Sequence, residues 1–344
     1  HYPYHKRFRR GIRVKEPGRR NPIHRLMLAE AAFPVQGIYV RCRMGKSSTF
    51  QNNNEHYMPQ TRKALPDLTV ANCETLVWGR RTYVMGIINV TPDSFSGDGL
   101  GSDIPAVVEQ ALHSQAEGAD FLDVGAESSR PGHEAISPDE ELRRLISPLE
   151  AIATQVDLPI SVDTYKAQVA RQALDAGATI INDIWGLKAN PNLAEVAAEW
   201  GAPLILMHNQ KTRQYNDLLP DIFGSLNHSI ELALGAGLAK EDIILDPGFG
   251  FGKTPDHNLE VLHRLGEFKS LGYPQLMGTS RKSTIGLVLD LPVEERIQGT
   301  AATVALSVAG GADIVRAHDV KEMVQVCRMT DAIVRGWRPS GWKQ

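Results

Sequence analysis

The sequence predicts an α/β protein, a (β/α)8 TIM barrel with an extra N-terminal segment. Three observations carry that expectation. From Tyr83 onward, a short apolar run, a polar loop and an amphipathic helix repeat eight times. The apolar runs are near-continuous rather than alternating, as in parallel strands covered on both faces. Eight such units over about 250 residues suit a closed barrel better than an open doubly wound sheet of five or six strands.

Residues 1–60 come first, as a basic tail. Positions 1–46 hold twelve Lys or Arg against Glu16 and Glu30, which leaves 25 basic and 38 acidic residues for the rest of a chain whose net charge is −3. Few aromatics and no recognition motif accompany that charge, so a solvated, poorly ordered arm is expected rather than a nucleic-acid contact. The chain opens on His1, and the arm is Arg-rich like a transit peptide, yet poor in Ser and without a clear amphipathic helix. GKSS at 45–48 lacks the preceding glycine of a phosphate loop, because Val40 stands there.

Residues 61–82 form a lead-in, where NCETLVWGRRTY is expected to make a short hairpin that plugs the barrel floor. The barrel then spans 83–336. Its strands are expected in YVMGIINV (83–90), DFLDVGA (120–126), PISVDT (159–164), TIINDIWG (179–186), PLILMHN (203–209), DIILDPGFG (242–250), PQLMGTS (274–280) and DIVRAHDV (313–320). Eight intervening segments, from AVVEQALHSQAEG to EMVQVCRMTDAIV, place apolar residues three and four apart, the helical period. Pro105 and Ser137-Pro138 mark helix starts, and Gly118, Gly177, Gly201 and Gly237 mark helix ends. Residues 337–344 are a short C-terminal tail.

Composition narrows the function classes. Hydrophobic residues at 42% and charged residues at 22% are ordinary for a soluble domain. No apolar run approaches the roughly 18 residues of a membrane span. Cys42, Cys73 and Cys327 lie far apart without a CxxC pair, which excludes a disulfide framework or thiolate zinc site and fits the cytoplasm.

In this fold the catalytic groups gather at the C-terminal ends of the strands. The polar residues ending each run are Asn89, Glu127 to Arg130, Asp163, Asn182, His208, Asp246, Ser280 to Lys282, and Arg316 with His318. A single buried polar group at a strand end is often structural. Eight converging on one mouth are hard to explain as packing. Asp163, Asp246 and Asn182 suit a flat heterocycle with ring N–H and amino groups. Arg130, Lys282, Arg316 and His318, expected opposite them, suit a diphosphate. GxGxG within DPGFGFGK (246–253) lacks the third glycine of a dinucleotide loop, so its glycines read as tight turns beside a ligand. Phe249 reads as packing.

NVTPDSFS (89–96), DVGAESSRPG (123–132), SVDT (161–164), IND (181–183), LMH (206–208), LDPGFGFGK (245–253), TSRKS (279–283) and RAHDV (316–320) together resemble the dihydropteroate synthase family, in its order, over about residues 75–336. That resemblance implies condensation of 6-hydroxymethyl-7,8-dihydropterin pyrophosphate with p-aminobenzoate, releasing pyrophosphate, in a homodimer inhibited by sulfonamides. It implies Asp163, Asn182, Asp246 and Lys282 on the pterin. The diphosphate falls to Asn89, Ser129, Arg130, Arg316 and His318, with Mg²⁺ at Asn89. Beside p-aminobenzoate it implies Phe95, Pro131, Phe251, Ser280 and Arg281. Arg130, Lys282, Arg316 and His318 carry the catalytic roles.

The first loop departs from the family pattern at SGDGL, so Asp98 stands in doubt as the loop aspartate, and Asn209 and Lys211 make one rim more polar. Three rivals stay open: a pterin-binding methyltransferase domain, which needs neither SRKS nor RAHDV, a Schiff-base aldolase using Lys282, and a catalytically silent barrel kept as a binding or assembly module.

Overall fold

The computed structural model describes residues 65–70, 75–90, 103–128 and 134–343. The basic tail, the first residues of the lead-in, and the positions of Phe95, Asp98, Ser129, Arg130 and Pro131 lie outside them.

Eight strands form where the apolar runs predict: β1 (Tyr83–Asn89), β2 (Phe121–Gly125), β3 (Ile160–Asp163), β4 (Ile180–Asp183), β5 (Leu204–Met207), β6 (Ile243–Asp246), β7 (Leu276–Met277) and β8 (Ile314–Ala317). All pair in parallel, in the order β6-β5-β4-β3-β2-β1-β8-β7. The ring closes between β6 and β7 through one bridge, Leu245 opposite Gln275, where Leu245 N–H donates to Pro274 O at 2.9 Å.

Around this ring stand α1 (Ile104–Ala116), α2 (Pro138–Ala153), α3 (Ala167–Asp175), α4 (Leu193–Trp200), α5 (Leu218–Gly235), α6 (Pro255–His263), α7 (Ser283–Leu289), α8 (Ile297–Gly310) and α9 (Val320–Val334). Eight helices were expected, and the addition is α7. Its segment STIGLVL is only seven residues long and gives no clean helical stripe. Helix starts follow the local chemistry. Asp103 and Ser137 accept N–H bonds from Ala106 and Glu140, each just ahead of a proline in the first turn.

Alternation along the strands divides the core into two layers. One set of strand residues (Val84, Leu122, Val162, Leu204, Val315) packs outward under the helices. The other set (Tyr83, Met85, Phe121, Ile180, Ile205, Ile244, Leu276, Ile314) fills the barrel at its N-terminal end, together with Leu68, Val70, Leu76 and Trp78 from the lead-in. Leu68 and Leu76 exchange backbone bonds of 3.1 and 2.8 Å as an antiparallel pair. Trp78 meets Tyr83 edge-on at 5.7 Å between ring centroids. Each fully buried side chain of this kind is worth about 1.5–3 kcal/mol. The last helix returns to lock the first strand, since Asp331 accepts from Thr82 N at 2.6 Å and Thr82 Oγ1 at 2.9 Å.

Candidate functional site

The inward-facing positions change character toward the C-terminal ends of the strands. Above the apolar floor come Asp123 on β2, Asp163 on β3, Asn182 on β4, Asp246 on β6 and Arg316 on β8, joined by Lys282 at the start of α7. A cavity of about 370 Å³ opens among the loops here, lined in part by Asp163, Tyr165, Trp185, Asn209, Gly250 and Phe251.

Arg316 organises this layer. Its Nε donates to Asp123 Oδ2 at 2.5 Å and its Nη2 to Asp163 Oδ2 at 3.1 Å. Asn182 Nδ2 donates to the same Asp123 oxygen at 3.1 Å. Asp123 is fully buried, and its Oδ1 has no hydrogen-bond partner among the described residues. The expectation of cations standing opposite the carboxylates is therefore corrected: Arg316 sits between carboxylates. A guanidinium on an inward strand position reaches across the barrel, because adjacent charges of one sign could not be buried together.

Burial sets the ionisation of these groups. Burial and then Asp123 push Asp163 above the usual carboxylate range, against Arg316. Asp246 is pushed up to about 6 by burial, opposed by the Gly248 N–H at 2.6 Å and by Lys282, Lys253 and Arg316. Lys282 is pulled down to about 8, first by burial and then by Arg316, while Asp246 and Asp163 oppose the shift. Its Nζ lies 4.0 Å from the centre of the Phe251 ring, a cation–π contact.

At the rim, burial and then Arg316 bring His318 down to about 4, so the ring is neutral at pH 7. Ser280 Oγ accepts the His318 backbone N–H at 3.2 Å and lies 2.9 Å from Nδ1. With one lone pair taken by that N–H, the hydroxyl can meet Nδ1 with its proton, which places the ring proton on Nε2, or with its second lone pair. Arg281 instead turns to Asp319, with Nε 3.0 Å from Oδ2 and Nη2 on Oδ1. Asn89 ends β1, half-buried, at the same end of the barrel.

Two strand-end candidates make their bonds within the scaffold, Glu127 while also lining the cavity. His208 lies at an outward position, buried, with Nδ1 2.8 Å from Lys253 Nζ. Glu127 holds Lys166 and accepts from Tyr165 OH at 3.0 Å. Phe249 is buried in the outer core. Asp123, by contrast, was missed: it ends no apolar run, and only the alternation Phe121, Asp123, Gly125 marks it as inward-facing. No group of three or more His, Cys, Asp or Glu is placed to hold a metal among the described residues, and no helix there is long and apolar enough to cross a membrane.

Comparison with known proteins places the chain among relatives. The family described as "Pterin binding enzyme" matches residues 85–318. A dihydropteroate synthase of Clostridium beijerinckii is 52% identical over 258 residues, covering 75% of this chain and 96% of that protein. A solved dihydropteroate synthase from Clostridium difficile, in the presence of pteroic acid, superposes with a TM-score of 0.73 at 49% identity, over 75% of this chain and 98% of the other. One from Xanthomonas albilineans with 4-aminobenzoic acid gives 0.73 at 39% identity, over 78% and 98%.

Proposed function

We infer the workings of the site from one premise: this chain belongs to the pterin-binding enzyme family and, within it, to the dihydropteroate synthases. It is a transferase, condensing 6-hydroxymethyl-7,8-dihydropterin pyrophosphate with p-aminobenzoate to give 7,8-dihydropteroate and pyrophosphate. How its own residues do so is the proposal.

Asp163, Asn182, Asp246 and Lys282 take the pterin. The observation that carries this is the single buried layer in which carboxylates, an amide and two cations converge at the mouth. A ring with adjacent N–H and amino groups donates to a carboxylate such as Asp246, and Asn182 supplies both a donor and an acceptor. Loss of pyrophosphate from the methylene leaves positive charge on the ring. Asp163 and Asp246 offset it, in a site where burial strengthens every charge interaction.

Arg316 and His318, with Asn89, Ser129 and Arg130, hold the departing diphosphate. Neutral His318 donates through Nε2, and Arg316, fixed by Asp123 and Asp163, meets the leaving oxygens without reorganising. Phe251, Ser280 and Arg281, with Phe95 and Pro131, flank p-aminobenzoate. Its aromatic amine attacks as the neutral base, so no strong general base is needed. Ser280 reaches that role only through the hydroxyl that also sets His318.

Mg²⁺ is assigned to Asn89. Its one amide oxygen would suit a hard cation, which would supply charge neutralisation for the leaving group. A cytoplasmic homodimer completes the reading. In its support, Leu287 and Val288 on α7, Leu306 on α8, and Met329 and Ile333 on α9 are each 59–69% exposed, an apolar surface suited to a two-fold interface.

The decisive experiment is pyrophosphate release. Release that requires both substrates and Mg²⁺ supports the assignment, and release at an undiminished rate without p-aminobenzoate refutes the coupled reaction.

A further inference from the structure

The loop after β6 folds around a buried amine that the reading above leaves without a task. Lys253 is 4% exposed, and its Nζ lies 3.0 Å from Gly248 O, 3.2 Å from Phe251 O and 2.8 Å from His208 Nδ1. An ammonium carries three protons, so these three neutral acceptors saturate it. Burial and Lys253 itself keep His208 neutral, as an acceptor must be.

Two glycines make the wrap possible. Gly248 has φ +72, and a Cβ there would meet His208 O at 1.9 Å; Gly252 has φ +55, and a Cβ would meet Gln210 O at 2.6 Å. The loop thus lies backbone-to-backbone against the end of β5, with two carbonyls turned inward onto the amine. The same turn serves the site. Gly248 N–H fixes Asp246 Oδ1 at 2.6 Å, and the Phe251 ring underlies Lys282.

We propose that Lys253 is a positioning residue of the heterocycle site: its ammonium pins the Gly248–Phe251 turn and is the internal counter-charge that keeps Asp246 ionised for the ring. This rests on the reading that Asp246 binds the pterin. The charged groups facing Asp246 are Lys282, Lys253 and Arg316, and each favours its carboxylate form against burial. Those facing Lys253 are Asp246, which favours its proton, and Lys188 and Lys282, which oppose it. Burial brings Lys253 down to about 7, so the pair holds both charges in a window around neutrality. Removing the amine removes one of three cations from Asp246, whose pKa must then rise further.

The test is calorimetric binding of 6-hydroxymethyl-7,8-dihydropterin to the full chain from pH 5 to 9, comparing wild type, Lys253→Met and Asp246→Asn. The expected result is an acid limb moved upward by about one unit in Lys253→Met. That is roughly a tenfold loss of affinity at pH 5 that closes above pH 8. A loss of the same size at every pH is what a merely structural lysine gives, and it overturns the proposal. Where Met at 253 yields no soluble protein, Lys253→Gln, one bond shorter, keeps an amide donor group without the charge and is read in the same way. Failure of both to fold assigns Lys253 to folding alone and also overturns it. Asp246→Asn separates the two readings. If that variant retains the wild-type affinity and acid limb, the pterin-side assignment fails. If it loses the limb while Lys253→Met keeps it unmoved, the lysine proposal alone fails.

Discussion

The two ends of this barrel are built from the same strands to opposite rules. At the N-terminal end, Phe121, Ile180, Ile244, Leu276 and Ile314 meet the lead-in residues Leu68, Val70, Leu76 and Trp78 in an apolar plug. A few ångströms along the same strands, Asp123, Asp163, Asn182, Asp246 and Arg316 occupy equivalent inward positions. The floor gains stability from every side chain it buries. The mouth desolvates charges that only partly repay one another, and holds Asp163 and Asp246 above their ordinary pKa. Substitutions at the two ends should therefore separate: loss of stability without loss of activity at the floor, and the reverse at the mouth.

The largest effect belongs to Arg316→Ala. It leaves Asp123 and Asp163 buried without their shared cation and removes a donor from the leaving group. Turnover should fall on the order of a thousandfold, far more than p-aminobenzoate affinity measured by calorimetry. Equal losses in both would detach Arg316 from the leaving group. This variant also loses stability, so it blurs the separation of the two ends.

Asp246→Asn shows the separation cleanly. Replacing a carboxylate acceptor by an amide mismatches a ring donor, and pterin affinity at pH 7 should drop about a hundredfold, with the charged hydrogen bonds worth about 1.5–3 kcal/mol. Stability should move the other way. The folded pKa of Asp246 is raised from 3.8 to about 6. A raised acid penalises the fold once pH exceeds the unfolded value, and the penalty is complete above the folded one. The Asn variant should therefore be the more stable protein at pH 7, by about 2–3 kcal/mol, and that gain should vanish below about pH 4. Denaturant midpoints at the two pH values check the sign, and a less stable variant at pH 7 contradicts it.

Much of this contrast was legible in the sequence, and two of the failures have a common cause. Continuous apolar runs located all eight strands, because strands covered on both faces leave no other pattern. Reading only the polar residue that ends each run found Asp163, Asn182 and Asp246. It also took in His208, which parity turns outward to Lys253, and passed over Asp123, which lies two residues further down its strand. The period of two held the correction in both cases. Charge interleaving was beyond reach. β8 pairs with β1 and β7, and nothing in the order of residues says that Arg316 spans the interior to β2 and β3. Helix α7 escaped for a different reason, since seven residues without an amphipathic stripe resemble a loop.

At the floor, Leu68→Ala sharpens the comparison from the other side. Leu68 is buried at 1% exposure in the plug, and a buried Leu→Ala change costs about 2–5 kcal/mol. The loss should appear in the denaturant midpoint at every pH, while kcat and both KM values stay within about twofold. A matching fall in kcat would mean that the floor transmits strain to the charged layer, and the two ends would no longer be independent.

The smallest effect tests how finely the mouth is arranged. Ser280 Oγ accepts the His318 backbone N–H and stands 2.9 Å from Nδ1, and a hydroxyl proton given to Nδ1 holds the ring proton on Nε2. Ser280→Ala leaves the ring in place but lets both tautomers populate, and one of them offers the diphosphate an acceptor instead of a donor. A loss in kcat on the order of tenfold is expected, within the range of one misdirected donor, with a stability cost of about 1–3 kcal/mol for the His318 N–H left without its acceptor. Ser280→Thr keeps the hydroxyl and should restore most of the rate. The pH profile supplies the sign. His318 lies near 4 in the free enzyme, so the acid limb of turnover should follow the raised carboxylates Asp163 and Asp246 in wild type and in Ser280→Ala alike. Movement of that limb in the Ala variant would mean that the ring works as the charged imidazolium, and the tautomer argument would fall.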